Sequence, residues 1–448
     1  MKKAFLFAGI SLVAGVVSAA ATISDVVVRQ RWPWGREVDV YFTLSGATEP
    51  VSVEPTFTAR GGENIPLVCG ALSGARFYLS DGRHHLVWNP AAAGYGGRTL
   101  FADVDVKLEI ARNPLYMIVD LDAPEVATNQ IEYVYADDIR AGRWGEWEEG
   151  DWGVPVWTGV TNGLTYKQSK IALRYIPPTT SAEWMAKKGK STFMLGASAE
   201  TPNADSPTNA SLDAVCAVAR CQPQGEVTLT RGYWIGVFEV TQRQWTKLGF
   251  WNPANYQNGD GTRPVEGCEW QNVRGRNYEN GQRVAYWPLD GFNVKSGTYL
   301  ARLRAKTGLL FDVPTEAQWE YAARAGADGL CDGERTAVAR FAQSAETATA
   351  VVGSYRPNAW GLYDTLGNVR EVTRTTWDGS GYKADDFGVD PKGQVGRDPY
   401  RVSRGGGWND GAAAVNLHYR ERNAWNSGYD EFKRQSGEGF RLWLPIDN

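Results

Sequence analysis

The sequence has few histidines and no blocks of positive charge, and both features reduce the range of functions that it can have. Its 448 residues contain three histidines: the neighbours His84 and His85, and the distant His418. This count argues against a metal site built from three imidazoles. The formal net charge is −4 and no block of Lys and Arg stands out, which argues against a dedicated nucleic-acid-binding protein.

Cysteine is also scarce. The five cysteines form no C-x-x-C pair, so zinc is unsupported, and they are Cys69, Cys216, Cys221, Cys268 and Cys331. In an oxidising compartment Cys216 and Cys221 could close a small loop. Because the number is odd, at least one cysteine is free or pairs with another chain.

Glycine and aromatic residues, in contrast, are abundant. The chain has 50 glycines, 12% aromatic residues and an ordinary 43% of apolar residues. This mixture favours loops and short strands pinned by aromatic side chains. The length suggests two or three domains.

The N-terminus has the pattern of an export signal. Lys2 and Lys3 precede an uncharged apolar stretch over residues 4–17, and small residues follow at Ala19 and Ala21. This pattern predicts a signal peptide over residues 1–21 and a secreted or periplasmic mature protein. A membrane anchor is the alternative, but the stretch is shorter than the roughly 20 residues that span a bilayer. No later run is long enough to span.

Residues 22–122 alternate between apolar and polar side chains, as half-buried strands do. Turn clusters separate the alternating segments. We predict an immunoglobulin-like β-sandwich here. His84 and His85 are interpreted as a strand-edge pair near a turn, with metal contact as the alternative.

Residues 123–174 are rich in tryptophan and glycine and are predicted to form a connector. The tryptophans Trp144, Trp147, Trp152 and Trp157 are expected to pack on a neighbouring domain. A carbohydrate-stacking patch is the functional alternative.

Three short helices are predicted further along the chain. Thr241 and Gln244 form one capping box, and Thr315 and Gln318 form a second that leads into a helix ending at Gly326. Between them Ser296 is predicted to cap a helix that stops at Gly308.

Six segments in the C-terminal part resemble, in this order, the formylglycine-generating enzyme family, also called sulfatase-modifying factors. They are residues 232–245, 263–270, 313–324, 357–371, 401–408 and 439–442. The resemblance covers residues 175–448 and implies a C-type-lectin-like fold with little regular secondary structure. With the β-sandwich in front, the predicted fold class is α+β.

The family's copper chemistry does not carry over to this chain. The resemblance implies two copper-binding cysteines, five residues apart, just after a Gly-Gly-Ser-aromatic motif. Here Gly407 and Trp408 end that motif, Asp410 holds the first cysteine position, and the second falls at Val415 or Asn416. A carboxylate is a hard ligand and valine is none, so a Cu(I) site is not expected. The H-x-x-x-H-x-E motif of the iron-dependent branch is also absent.

A structural calcium site is the metal site that the resemblance does imply. The matching positions are the side chains of Asp364 and Glu371 and the main-chain carbonyls of Gly367 and Val369. Carboxylates with backbone oxygens in a glycine-containing loop suit calcium. Alternatively, Asp364 caps a turn and Glu371 pairs with a basic side chain.

Four arginines recur in the C-terminal motifs, and their five donors suit them to tying loops together. We favour this structural use over binding a substrate carboxylate for Arg404, Arg420, Arg422 and Arg441.

These observations favour a non-catalytic module that binds an extracytoplasmic protein or glycan on a calcium-stabilised scaffold. The alternative is an oxidoreductase of this superfamily with a non-thiolate site. Its candidate catalytic residues are Asp410, His418 and Glu421, with His418 as the base. The competing interpretation is that His418 only hydrogen-bonds a neighbouring loop.

Overall fold

The structure is a computed structural model of the whole chain. It describes residues 21–447 apart from gaps at 32–34, 60–61, 63, 94–103, 126, 199–219, 276–277, 280–281, 284–293, 330–333, 343–346, 378, 380, 394–399 and 423–436. The predicted signal peptide therefore lies outside the described residues, except for Ala21. No helix among the described residues is long and apolar enough to cross a membrane.

The front region, residues 21–113, consists of two antiparallel sheets. Their strands are β1 (Thr22–Gln30), β2 (Val38–Ser45), β3 (Ser52–Thr58), β4 (Asn64–Ile65), β5 (Leu72–Gly74), β6 (Gly82–Trp88) and β7 (Asp105–Ala111). One sheet has the order β1-β2-β6-β5 and the other β4-β3-β7. A short 3-10 helix at Pro90–Ala93 follows β6.

Strict alternation places the apolar side chains of both sheets in one core. Along β2, Val38, Val40, Phe42 and Leu44 are buried, while the residues between them are partly exposed. Phe57 of the other sheet stacks on Trp88 with ring centroids 4.5 Å apart. The predicted strands are thus present, and the immunoglobulin-like assignment stays a prediction.

The adjacent histidines lie inside β6 and not at a turn. His85 pairs with Tyr41 of β2, its ring stacks on that tyrosine, and its Nε2 lies 2.7 Å from Asp39 Oδ1. His84 Nε2 lies 2.7 Å from the carbonyl of Ser80. Both rings therefore have protein partners.

The remaining described residues, within 114–447, are called the C-terminal domain, and a five-stranded sheet forms its centre. Its order is β23-β15-β12-β8-β9, built from β8 (Tyr116–Asp120), β9 (Ile131–Val134), β12 (Lys170–Ile176), β15 (Tyr233–Gly236) and β23 (Trp443–Pro445). All its neighbouring strands are antiparallel.

This sheet joins segments that were assigned to different parts of the chain from the sequence. The strand at Tyr116–Asp120 was assigned to the β-sandwich, but it pairs with Lys170–Ile176 from the end of the predicted connector. Residues 123–174 therefore contribute strands to the domain and do not merely link it to the front region. Local alternation identifies a strand but not its partner, which comes from a distant segment.

The remaining strands form small sheets around this centre. They are β10 (Glu148–Glu149), β11 (Pro155–Val156), β13 (Phe193–Leu195), β14 (Gly225–Thr228), β16 (Tyr278–Glu279), β17 (Gln282–Arg283), β18 (Arg370–Thr376), β19 (Gly388–Val389), β20 (Arg401–Arg404), β21 (Arg420–Arg422) and β22 (Glu438–Gly439). The sheet that matters for the site has the order β21-β20-β18-β22.

The helices are short. They are α1 (Ala136–Arg140), α2 (Thr165–Gln168), α3 (Ala182–Lys188), α4 (Gln242–Lys247), α5 (Trp270–Val273), α6 (Tyr299–Thr307), α7 (Glu316–Arg324) and α8 (Arg335–Val338). Short 3-10 helices lie at Thr158–Thr161, Ala384–Asp386 and Ala412–Ala414. The described residues thus form a mixed α/β fold that is mostly sheet, and the finer C-type-lectin-like assignment stays a prediction.

Both predicted capping boxes are present, at the start of α4 and of α7. Helix α6 ends before Gly308, which takes the left-handed conformation as predicted. Its cap is Thr298 rather than Ser296, because the hydroxyl of Thr298 accepts the amide of Ala301.

Of the four tryptophans in residues 123–174, Trp152 and Trp157 are buried inside the domain, and Trp144 and Trp147 pack against it while partly exposed. Trp152 stacks on Trp184 and donates its Nε1–H to the carbonyl of Ala325 at 2.8 Å. Trp157 is buried against Tyr116. Burial removes these two rings from any surface that could stack on sugars.

The front region docks on the C-terminal domain through aromatic rings. Tyr78 stacks on Tyr175 with centroids 3.6 Å apart and donates its hydroxyl to the carbonyl of Pro114 at 2.7 Å. Phe77 meets the edge of Trp234. The two regions therefore share a packed interface.

Candidate functional site

Asp410, at the first copper-cysteine position, forms an ion pair. It follows strand β20 and the glycine run, and its Oδ2 accepts the amide of Gly407 at 2.8 Å. Arg370, the first residue of β18, grips both carboxylate oxygens and donates Nε–H to Oδ2 at 2.7 Å. A carboxylate is a hard ligand, and this one is already paired with a guanidinium, so it is a poor ligand for Cu(I).

Arg370 also brings Glu421 to the same place. Its Nε lies 3.2 Å from Glu421 Oε2, and the Tyr419 hydroxyl donates to the same oxygen at 3.1 Å. Burial lowers the pKa of Arg370, but Asp410 and Glu421 outweigh this effect and raise it. We call Arg370, Trp408, Asp410, Tyr419 and Glu421 the Asp410 patch.

The second cysteine position offers no ligand for copper either. Val415 is fully buried in an apolar cluster with Trp319 and Leu417. Asn416 is partly exposed, and its Oδ1 accepts the amides of His418 and Tyr419 at 2.8 Å each. Both residues have structural partners in the described chain.

The described thiols are buried and protonated. Burial raises the pKa of Cys69 to about 12 and of Cys221 to about 11, and it raises the pKa of Cys268 well above its ordinary value. Cys216 and Cys331 lie outside the described residues, so the predicted Cys216–Cys221 loop is untested. Within the described ranges, no three His, Cys, Asp or Glu side chains are grouped to hold a metal.

His418 lies apart from Asp410 and Glu421, in a buried network. Its Nδ1 is 2.7 Å from Arg324 Nη2 and 4.0 Å from Glu320 Oε1. Burial lowers the pKa of His418 to about 4, and the positive charge of Arg324 adds to this effect. The structure thus brings together two of the three candidate catalytic residues and places the predicted base elsewhere, in a neutral form at neutral pH.

Two of the four arginines that were predicted to tie loops together, Arg404 and Arg420, belong to the same buried network. Arg420 is bidentate to Glu316, at 2.6 and 2.8 Å. Arg404 donates to Glu316 at 3.1 Å and also pairs with Glu320. Burial raises the pKa of Glu320, but Arg324 and Arg404 outweigh burial and lower it to about 2.

Arg441 also has the predicted structural role, and Arg422 differs from the other three. Arg441 binds both oxygens of Glu371 and donates to the carbonyls of Gly236, Val237 and Tyr363. Arg422 is exposed, and its guanidinium lies 4.3 Å from the ring centroid of Tyr400.

Of the two carboxylates in the predicted calcium loop, only Asp364 has an oxygen left to bind a cation, among the described residues. Asp364 is buried with a positive φ of 54°; its Oδ2 accepts the amide of Gly353 at 2.6 Å, and Oδ1 has no partner among the described residues. Burial raises the pKa of Asp364 to about 6. In contrast, both carboxylate oxygens of Glu371 accept hydrogen bonds from the Arg441 guanidinium, and one also accepts the Trp319 indole N–H at 2.7 Å. Asp364 fits a hard cation, whereas Glu371 matches the alternative interpretation of an ion pair.

Glu239 belongs to this loop and was missed from the sequence. It is buried, accepts Asn368 Nδ2 at 2.6 Å and the Val369 amide at 3.0 Å, and so braces the loop. Burial raises its pKa, and the charges of Asp364 and Glu371 add to the effect. A carboxylate inside the apolar run at residues 233–240 was the available signal.

Comparison with known proteins defines the class. Residues 189–445 match the model of the sulfatase-modifying factor enzyme 1-like domain. This match covers more than half of the chain, and the chain therefore belongs to that family. The resemblance noted in the sequence is confirmed.

Individual relatives are more distant. The chain is 35% identical over 161 residues to the formylglycine-generating enzyme of Streptomyces coelicolor, which is 32% of this chain and 49% of that enzyme. It is 24% identical over 227 residues to the chaperone protein LppX of Paenibacillus barcinonensis, covering 43% of this chain and 75% of the relative. The chain thus spans about half the length of the Streptomyces enzyme.

Among solved structures, PvdO from Pseudomonas aeruginosa is similar at 20% identity. The TM-score is 0.44, with 61% of this chain and 94% of PvdO covered.

Proposed function

We propose that this chain is a non-catalytic binding module of the sulfatase-modifying factor family, exported from the cytoplasm. The observation that carries the proposal is the Arg370–Asp410 ion pair, together with the burial of Val415. Asp410 stands where the resemblance places the first copper cysteine, and the second position falls at Val415 or Asn416. The Lys2–Lys3 start and its apolar stretch support export.

The Asp410 patch is the surface proposed to bind the ligand. It combines an arginine and two aromatic side chains, the residue types enriched at protein interfaces, with two carboxylates. Trp408 is partly exposed, and its ring meets Tyr256 edge-on at 4.9 Å. A rigid aromatic anchor beside charged groups suits an extracytoplasmic protein or glycan.

A binding screen tests this proposal. The purified mature chain is applied to arrays of glycans and of proteins from its own extracytoplasmic space. Any ligand found should lose at least about tenfold in affinity with Trp408→Ala, as interface anchors do. The exposed Trp251→Ala is the matched control and should bind as the parent does.

The oxidoreductase alternative makes a different prediction in a companion assay. Oxygen consumption is followed with a cysteine-containing peptide after Cu(I) or Fe(II) loading. Turnover that Asp410→Ala abolishes would contradict the binding proposal. The absence of turnover in a folded chain that binds a ligand at the patch would support it.

Calcium remains a prediction, and we propose Asp364 as the side chain that holds it. The unpartnered Oδ1 of Asp364 and the neighbouring carboxyl group of Glu239 support a cation there. Calcium should raise the Tm of the parent chain, and a chelator should reverse the shift. Asp364→Asn should remove the effect, and an equal calcium response in that variant would exclude this site.

A further inference from the structure

Strand β1 forms one edge of the front region and exposes a run of apolar side chains. Val26, Val27 and Val28 are between 37% and 42% exposed. Successive side chains of a strand point to opposite faces, so three exposed neighbours in a row mean that both faces of β1 are open to solvent. Among the described residues, β1 pairs with β2 and with no second strand. An apolar edge of this kind is a template for pairing with another chain.

The core of the front region is also uncovered beside this edge. Val28 lies opposite the fully buried Val40, so it shares the core-facing side of the sheet, yet it is exposed. The edge strand of the other sheet, β7, approaches β1 on this side, and its Ile110 lies opposite the buried Val53 and is exposed as well. Core-facing apolar side chains at both edges indicate a surface that a partner covers.

The backbone of β1 is able to accept a further strand. The amide of Arg31 donates to the carbonyl of Glu37 at 3.0 Å and continues the ladder between β1 and β2. Hydrogen-bonded and non-hydrogen-bonded positions alternate along such a ladder, so Arg29 and Val27 bond to β2, and Val28 directs its N–H and C=O away from it. β1 therefore offers a donor and an acceptor on its open side.

The charges of β1 match those of a second copy of the same strand. In antiparallel pairing about Val27, Asp25 of one copy faces Arg29 of the other, and the two-fold axis repeats this contact at both ends. Both side chains are exposed, and neither forms an ion pair among the described residues. The next symmetric register would place Asp25 opposite Arg31, but Arg31 already binds both carboxylate oxygens of Asp39. The charges therefore favour the register about Val27.

We propose that two copies of this chain associate through β1, in antiparallel pairing about Val27. The four-stranded sheets of the two copies then continue across the two-fold axis, and the exposed valines of each copy cover those of the other. A β-bulge at Asp25, which has a positive φ of 50°, keeps the added ladder short and places the contacts between Asp25 and Arg29 at its ends. Closed two-fold pairing also removes the open edge, so it prevents the addition of further strands.

Sedimentation equilibrium of the purified mature chain across the micromolar range tests this association. The parent chain should form a dimer in equilibrium with the monomer. Val27→Lys places two like charges opposite each other at the axis, and it should raise the dissociation constant at least about tenfold. The matched control is Val389→Lys, since Val389 is an exposed valine of the C-terminal domain, and it should associate as the parent does. A parent chain that stays monomeric, or a dimer that Val27→Lys leaves intact, would overturn the proposal.

Charge exchange tests the register. Asp25→Arg and Arg29→Asp each place like charges opposite each other across the interface, so each should weaken association about threefold or more. The double variant restores opposite charges and should associate as the parent does. A double variant that is as weak as the two single changes combined would overturn the pairing about Val27. Thermal unfolding checks that each variant is folded, and if Asp25→Arg does not fold, Val27→Lys and Arg29→Asp still decide.

Discussion

The front region and the C-terminal domain bury different kinds of side chain. The core of the front region is apolar, and its ion pairs, such as Arg31–Asp39, lie near the surface. The C-terminal domain buries Arg441 with Glu371 and Arg404 with Glu320. A fold with few long strands leaves many loop carbonyls to satisfy, and buried arginines satisfy them.

Within the C-terminal domain, the buried ion pairs also differ from the ion pairs of the Asp410 patch. The buried carboxylates of Glu316, Glu320 and Glu371 are engaged by arginines, so they hold the fold together and are not free for chemistry. The Asp410 patch is partly exposed, with Arg370 and Asp410 each 12% exposed and Glu421 31%. These ion pairs are therefore more accessible to solvent than those of Arg404 and Arg441.

The largest expected effect comes from breaking a buried pair. Arg441→Met leaves Glu371 without its counter-ion and three carbonyls without a donor, and it should cost about 3–5 kcal/mol in free energy of unfolding. Urea denaturation measures this loss. A loss below about 1 kcal/mol would contradict the structural role of Arg441.

The next effect depends on pH. The pKa of His418 is lowered by burial to about 4 in the folded chain, below the ordinary value of about 6.5. Between these values the unfolded chain binds the proton more readily, so stability is complete above about pH 6.5 and falls as the pH drops toward 4. The loss should approach about 3 kcal/mol.

His418→Asn keeps an acceptor for Arg324 and removes the titration. The free energy of unfolding, measured between pH 7 and pH 4.5, should fall less steeply for the variant than for the parent. The difference between the two curves cancels the contributions of other groups. Parallel curves would show that His418 is not held neutral.

A smaller effect is expected at the interface that joins the two regions. Tyr78→Leu removes the stacking on Tyr175 and the hydrogen bond to Pro114, and it should cost about 1–3 kcal/mol. Unfolding monitored by hydrogen exchange should show the front region opening more often. An unchanged opening rate would mean that the two regions are held together elsewhere.

The smallest effect is expected in the front region. Arg31 is 44% exposed, so Arg31→Met should change the free energy of unfolding by no more than about 1 kcal/mol. It is the matched control for Arg441→Met in the same urea series. Equal losses in the two variants would remove the contrast between the regions.

The sequence predicted what depends on neighbouring residues. The capping boxes at Thr241 and Thr315 follow from residues three positions apart, and both are present. The strand at Tyr116–Asp120 was recognised, but its partner lies some fifty residues further on. Register with a distant segment leaves no trace in local alternation, so the sequence did not reveal this pairing.

In the candidate site, too, contacts between distant segments could not be predicted from the sequence. The substitution at Asp410 could be read from the motif, but its partner Arg370 could not, because β18 and the loop after β20 are brought together only by folding. His418 was proposed as a base from its residue type. Its neutral state follows from burial beside Arg324, which no sequence pattern indicates.

Metal analysis after Cu(I) loading tests the central claim most directly. The mature chain is loaded anaerobically, passed over a competing Cu(I) chelator and analysed for copper, with a Cys-to-Ala variant at Cys216, Cys221 and Cys331 as control. We predict that no stoichiometric copper remains and that the Tm is unchanged by loading. One equivalent of copper retained by the parent and lost in Asp410→Ala would contradict this account and identify a copper site at the Asp410 patch.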